Sequence, residues 1–239
     1  MDIGSGGREL KAQVRRLVEG FDKAAALEAL CRLPARRVVN PLFGLLCAAD
    51  STLAMRAATA LGAVTARLAE VEMESARVVI RRMMWNLNEE SGGIGWGCPE
   101  AMGEALARNG GLADEFASIL ISYLDSGGNF LEHPGLQQGV LWGIGRMGQR
   151  RPDLAAPAMV LALAMVDSDD PQVCGMAVWC LGCLGAGQAP DRLAALSTDQ
   201  RPARWFYSWQ VQNTTVGHLA TQALAIIKQR TPPQTRFNF

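Results

Sequence analysis

Four segments of the chain superpose without gaps, and this self-similarity constrains the fold more than any other feature. They are Leu53–Gly62, Leu136–Gly145, Val173–Gly182 and Val216–Ala225. Each opens on a branched apolar residue and carries Ala or Val four positions later (Ala57, Val140, Ala177, Ala220). A small residue follows at offset seven (Ala60, Gly143, Cys180, Ala223) and a large apolar one at offset eight (Leu61, Ile144, Leu181, Leu224). At about 100° per residue these offsets share one face of a helix, and the small residues on that face let a neighbouring helix approach closely. The segments start 83, 37 and 43 residues apart. The first gap is two periods long, and Pro99–Arg108 stands where a degenerate fifth copy belongs.

Each copy is preceded by another apolar helical stretch: Arg37–Ala49, Val71–Leu87, Glu115–Asp125, Leu154–Val166 and Asp191–Leu196. Two of the pairs are separated by the turns Ala48–Ser51 and Asp167–Pro171, which offer Asp or Ser as N-caps and Pro171 as a helix start. The pattern D-x-x-V-R-x-x-A-x-x-A-L-G resembles the HEAT-like repeats of phycobilisome-lyase-type proteins. It is matched by Asp50, Leu53, Ala57, Ala60, Leu61 and Gly62, and again by Asp170, Val173, Ala177, Leu181 and Gly182. Pro41 and Pro157 resemble the proline that such repeats carry in their first helix. The arginine of the pattern is replaced by Ala54, Gln137, Cys174 and Gly217. The resemblance spans roughly residues 36–230 and implies architecture rather than activity, since the family holds scaffolds, chromophore-attachment subunits and regulators alike.

The expected fold is therefore all-α, an α-α superhelix (a HEAT-like solenoid) of about five helix pairs with loop insertions. Residues 1–35 are expected to form N-terminal capping helices, in one domain with the array at 36–230, and 231–239 a disordered tail. Composition agrees: 49% of the 239 residues are hydrophobic and only 6% aromatic, which favours close helix packing over a β-sandwich. Basic and acidic residues balance at 23 each, against a general nucleic-acid binder. The longest apolar runs are too short to span a bilayer, and the N-terminus lacks a secretory pattern, so a cytoplasmic, non-membrane protein is expected. Six cysteines within apolar patterns suit reduced core thiols.

Three irregular stretches stand apart from this scaffold. The first, Trp85–Glu104, holds an acidic, glycine-rich insertion with Asn88, Glu89, Glu90 and Trp96. Its glycines (Gly92, Gly93, Gly95, Gly97) permit positive φ and close approach to a ligand. No phosphate-loop lysine follows, and the glutamates disfavour an anion, so a nucleotide cradle is not the reading. Cys98 precedes Pro99 at an expected helix N-terminus, where a thiolate would be stabilised. The second stretch, Ser126–Pro134, ends in Glu132 and His133. With Glu89 and Glu90 these are carboxylate and imidazole ligands in principle, yet no H-x-x-x-H or paired C-x-x-C spacing supports a metal. His133 as a loop cap is the simpler role. The third, Asp199–Thr214, carries Trp205, Phe206, Tyr207 and Trp209. Its alternation allows a short extended segment, folding back onto the array or its groove.

Offsets two, six and nine of the repeat point away from the apolar face. They place Gln138, Trp142, Trp179 and His218 along the concave surface, where two tryptophans in adjacent repeats would stand side by side between glycines. Two arrangements fit: an open groove for a planar ligand or apolar peptide, or a private core plugged by an inserted loop, with 88–98 as the candidate plug. Without a catalytic cluster, the functional expectation is a non-enzymatic scaffold binding a protein or peptide partner on its concave face, with no cofactor and no metal. The alternatives are a small-molecule or tetrapyrrole-binding protein, by analogy with the chromophore-attachment members, and a hydrolase or other metal-dependent enzyme using the glutamates and His133. The binding set is Asn88, Glu89, Glu90, Trp96, Glu132, His133, Gln138, Trp142, Trp179 and His218. No pattern specifies an oligomeric state.

Overall fold

The structure, a computed structural model, describes residues 6–88, 95–187 and 189–230. Glu89 and Glu90, most of the first glycine-rich insertion and the expected tail at 231–239 lie outside these residues. The chain is an all-α helical-repeat solenoid. It opens with α1 (Gly7–Glu19) and α2 (Lys23–Arg32). Five pairs follow: α3 (Ala35–Leu45) with α4 (Ser51–Val71), α5 (Met73–Leu87) with α6 (Cys98–Arg108), and α7 (Gly110–Ser122) with α8 (Pro134–Gly148). In the fourth pair α9 (Pro152–Ala155) and α10 (Ala158–Met165) precede α11 (Pro171–Leu184). The last joins α12 (Pro190–Leu196) to α13 (Val216–Arg230) through a hairpin of β1 (Pro202–Tyr207) and β2 (Gln210–Thr215).

The second helices pack on one another in the order α4, α6, α8, α11, α13, while the first helices flank this row; α5 and α7 each pack both on their own partner and on the inner helix of the preceding pair. This inner row exists because its facing positions are small. A Cβ on Gly103 would sit 2.2 Å from the Gly143 Cα, so α6 and α8 meet backbone to backbone. Gly62 meets the backbone of Ala101, and Gly182 meets Ala223. Gly62 and Gly182, at the outward offset nine of their repeats, therefore seat the next inner helix instead of lining an open groove. Pro99–Arg108 is the fifth copy. Asp50 and Asp170 cap α4 and α11, each accepting from two backbone N–H groups. Pro41 lies inside α3, and Pro157 marks the break between α9 and α10.

Every long connection joins a first helix to its second, so the insertions gather on one edge and short turns occupy the other. The hairpin travels farthest. Its two-residue turn, Ser208 and Trp209, has positive φ at both positions (48° and 68°), the twist that suits a tight hairpin but that glycine or asparagine normally supplies. Burial and hydrogen bonds at the tip offset that strain. Trp209 is buried, and its Nε1 donates to the Gly20 carbonyl at 2.8 Å. Arg56 on α4 donates through Nε to the Trp209 carbonyl at 2.8 Å and through Nη1 to the carbonyls of Glu19 and Gly20 at 2.8 and 3.2 Å. Arg56 thus closes the C-terminal end of α1, whose last carbonyls have no intrahelical donor. The last repeat is thereby bonded to the first, and the hairpin spans the concave face.

Candidate functional site

The hairpin decides the state of the tryptophan row. Trp142 and Trp179 are side by side, their rings stacked with centroids 6.3 Å apart and planes within 12°. Among the described residues Phe206 of β1 covers Trp142, edge-on at 6.3 Å; most of the 88–98 segment, the candidate plug, lies outside them. Gly145 makes room for the Trp179 ring, since a Cβ there would lie 2.3 Å from it.

With the hairpin across it, the concave face is divided into two cavities that share Trp142, Trp205 and Phe206 as a wall. The first, about 440 Å³, opens at the long-loop edge. Its walls are mostly apolar, with Met55, Trp96, Met176 and Phe206 prominent, and Gln138 and Glu100 reach into it. Glu100 is 9% exposed, and its Oε2 has no hydrogen-bond partner among the described residues. Burial pushes its carboxyl up to about 7. Trp142 Nε1 is likewise buried without an acceptor. Gly139 makes the carboxylate's position possible: a Cβ there would stand 2.8 Å from the Glu100 carboxyl. An unmatched acceptor and an unmatched donor in one apolar enclosure form a site that a ligand with complementary poles would complete.

The second cavity, about 770 Å³, lies on the short-turn side of the hairpin. Lys23, Arg146, Trp179, Tyr207 and His218 line it together with the fully buried Glu104. Burial alone would raise the Glu104 carboxyl. Arg146 and Arg108, at 2.8 and 2.7 Å, outweigh that and hold it below the usual carboxylate range.

The expected binding residues separate accordingly. Trp96, Gln138 and Trp142 meet in the first cavity, and Trp142, Trp179 and His218 in the second. Asn88 is the C-cap of α5. Glu132 is exposed and lines neither cavity. His133 is the N-cap of α8, its Nδ1 accepting from the Gly135 N–H at 2.9 Å, and it meets Trp96 edge to face at 5.0 Å. Glu89 and Glu90 lie outside the described residues, among which no cluster of metal-ligating groups occurs. Cys98 is the first residue of α6, but burial pushes its thiol up to about 12, so no thiolate is stabilised there. Gly97 has φ +72° and lies against Leu46, as the positive-φ reading of the loop requires.

Glu100 was not in the expected set. A glutamate in the first turn of a helix reads as a partner of the helix dipole. The signal lay in the repeat register: offset one is only about 20° from offset eight, so Glu100 falls at the border of the core face.

No protein-family model matches the chain, and no curated protein matches it in sequence. Among solved structures, an engineered protein from a structural-genomics programme aligns over 91% of this chain and 97% of its own, at 17% identity and TM-score 0.50. A designed armadillo repeat protein aligns over 92% and 100%, at 16% identity and TM-score 0.49. At this identity the first likeness speaks to the fold alone. No helix among the described residues is long and apolar enough to cross a membrane.

Proposed function

We propose that this protein is a non-enzymatic binding scaffold, and that the first cavity receives a compact group from a protein or peptide partner. The observation that carries the reading is the pair of unmatched buried atoms, Glu100 Oε2 and Trp142 Nε1, in two residues that line one mostly apolar cavity. The group that suits it has an apolar body against Met55, Met176 and Trp96, with an N–H donor or cation at Glu100. A side chain or chain terminus fits better than an extended peptide, because the hairpin already occupies the length of the groove. The volume favours a second reading as well: about 440 Å³ falls within the range of small-molecule sites, roughly 300–1,000 Å³. The repeat spacing supports a HEAT-like origin for the array. The cysteines, four of them buried in the helical core, suit a reducing, cytoplasmic setting.

The test is calorimetric titration with short peptides ending in a free amine or a lysine, and with arylalkylamines of matching length. The expected result is saturable binding of at least one series, weakened about tenfold or more in Glu100→Gln. Equal affinities in wild type and variant would remove the site. Failure of both series to bind wild type would remove the reading.

A further inference from the structure

We infer that the second cavity is a separate site for a planar aromatic ligand carrying an anionic group, a carboxylate or a phosphate. Its lining carries a net positive charge, whereas Glu100 and Arg204 balance in the first cavity. Among the described residues lining it, Glu104 is the one carboxylate, and Arg108 and Arg146 already take both of its oxygens. On the lining, Lys23 and Arg146 against Glu104 leave one positive charge in surplus, and Arg108, ion-paired with Glu104, adds a second nearby. Lys23 is the uncommitted one. It begins α2 at the cavity rim, and its ammonium makes no salt bridge with any described residue. Burial lowers its pKa from the ordinary lysine value; Glu104 raises it and the two arginines lower it. An arriving anion would relieve that unfavourable environment.

The aromatic half of the inference rests on the walls. Trp179, stacked on Trp142, closes one side. On the other, Tyr207 stacks on Trp205 at 4.8 Å with planes within 3°, while remaining 55% exposed. That pair is a rigid, preformed flat surface whose outer face lies in solvent. A ring laid on it would leave its anionic substituent within the field of Lys23 and Arg146. The site uses neither Glu100 nor the long-loop edge, so it stands or falls independently of the proposed function.

Fluorescence titration with four naphthalene probes separates the two halves: 1-naphthyl phosphate, 2-naphthoate, neutral 2-naphthol and cationic 2-naphthylmethylamine. The two anions are expected to bind most tightly. Lys23→Glu is the charge variant, and glutamate at the first position of a helix is at least as favourable as lysine, so folding is preserved. It is expected to weaken the anions about tenfold or more and leave 2-naphthol unchanged. Tyr207→Ala, at an exposed position, is expected to weaken anionic and neutral probes alike. Equal affinity for anionic and neutral probes, an unchanged anion affinity in Lys23→Glu, or no binding of any probe would overturn the inference. If the anions weaken in Glu100→Gln as in Lys23→Glu, they occupy the first cavity, and the inference is equally lost.

Discussion

Glu100 and Glu104 are one turn apart on the same helix, both buried, and in opposite electrical situations. Glu104 lies between two guanidinium groups and ionises more readily than an ordinary glutamate. Glu100 is buried and makes no ion pair among the described residues, so its proton is held up to about 7 from the ordinary 4.5. The sign of the resulting pH dependence is fixed. Between those two values the folded protein binds more protons at Glu100 than the unfolded chain, so this group makes stability fall as pH rises through the interval and level off above it. A shift of that size corresponds to about 3 kcal/mol between the two protonation states. Glu100→Gln removes the charge and keeps the shape. Its stability relative to wild type, measured by urea denaturation, is expected to improve by about 2 to 3 kcal/mol between pH 4.5 and pH 8. A difference that stays constant across that range would show that Glu100 ionises normally and is not an unmatched buried acid. The first-cavity reading predicts more: a bound amine supplies the missing cation, so ligand should suppress this pH dependence in wild type.

At the scale of the elements, the inner row of helices depends on the absence of side chains at a few crossings. Gly103 and Gly143 bring α6 and α8 into backbone contact, and a methyl group at 103 would have to push a whole helix aside. Gly44 in α3 is the control, a helical glycine with open space around its Cβ position. Gly103→Ala is expected to destabilise by about 1 to 3 kcal/mol or more, and Gly44→Ala to stabilise by about 0.5 to 1 kcal/mol. Denaturant midpoints of the two variants should therefore move in opposite directions, and a shared sign would refute this account of the crossing. The repeat, the helix pairs and the caps were legible in sequence because each writes a local pattern: small residues at fixed offsets, or aspartate before an apolar stripe. Gln138 and Trp142, which line the first cavity, were picked out by the same repeat offsets. The occupant of the groove was not. Alternation in the Trp205–Val211 stretch marked an extended segment, but nothing local records that Phe206 would cover Trp142 or that Trp209 would reach Gly20. Glu100 escaped because burial of a helix-start glutamate depends on Gly139 of the next repeat making room for it, a fact of packing across 39 positions of chain.

An open solenoid is close to one-dimensional: each repeat touches its neighbours, and its ends fray independently. This chain departs from that picture because the hairpin returns from the last repeat to the first. Arg56 meets Trp209 across 153 positions, Trp209 meets Gly20 across 189, and the Val211 N–H donates to Thr52 Oγ1 at 3.3 Å. Such contacts couple the two ends, so α1 and α13 should open in one cooperative event rather than separately. The closure also defines both cavities, since the hairpin is a wall of each. Trp209→Ala is the sharpest probe. It removes the indole from a buried position and deletes the Nε1 bond to Gly20, while leaving the backbone carbonyl that Arg56 uses. A loss of about 3 to 5 kcal/mol is expected for a buried tryptophan. The discriminating measurement is amide hydrogen exchange followed by mass spectrometry, read peptide by peptide. Closure predicts faster exchange in residues 7–32 together with residues 202–230, at opposite ends of the sequence, and a smaller change in the α6–α8 interior. Faster exchange confined to the hairpin would mean that the tip merely rests on the N-terminal helices, and the array would then have to be described as open.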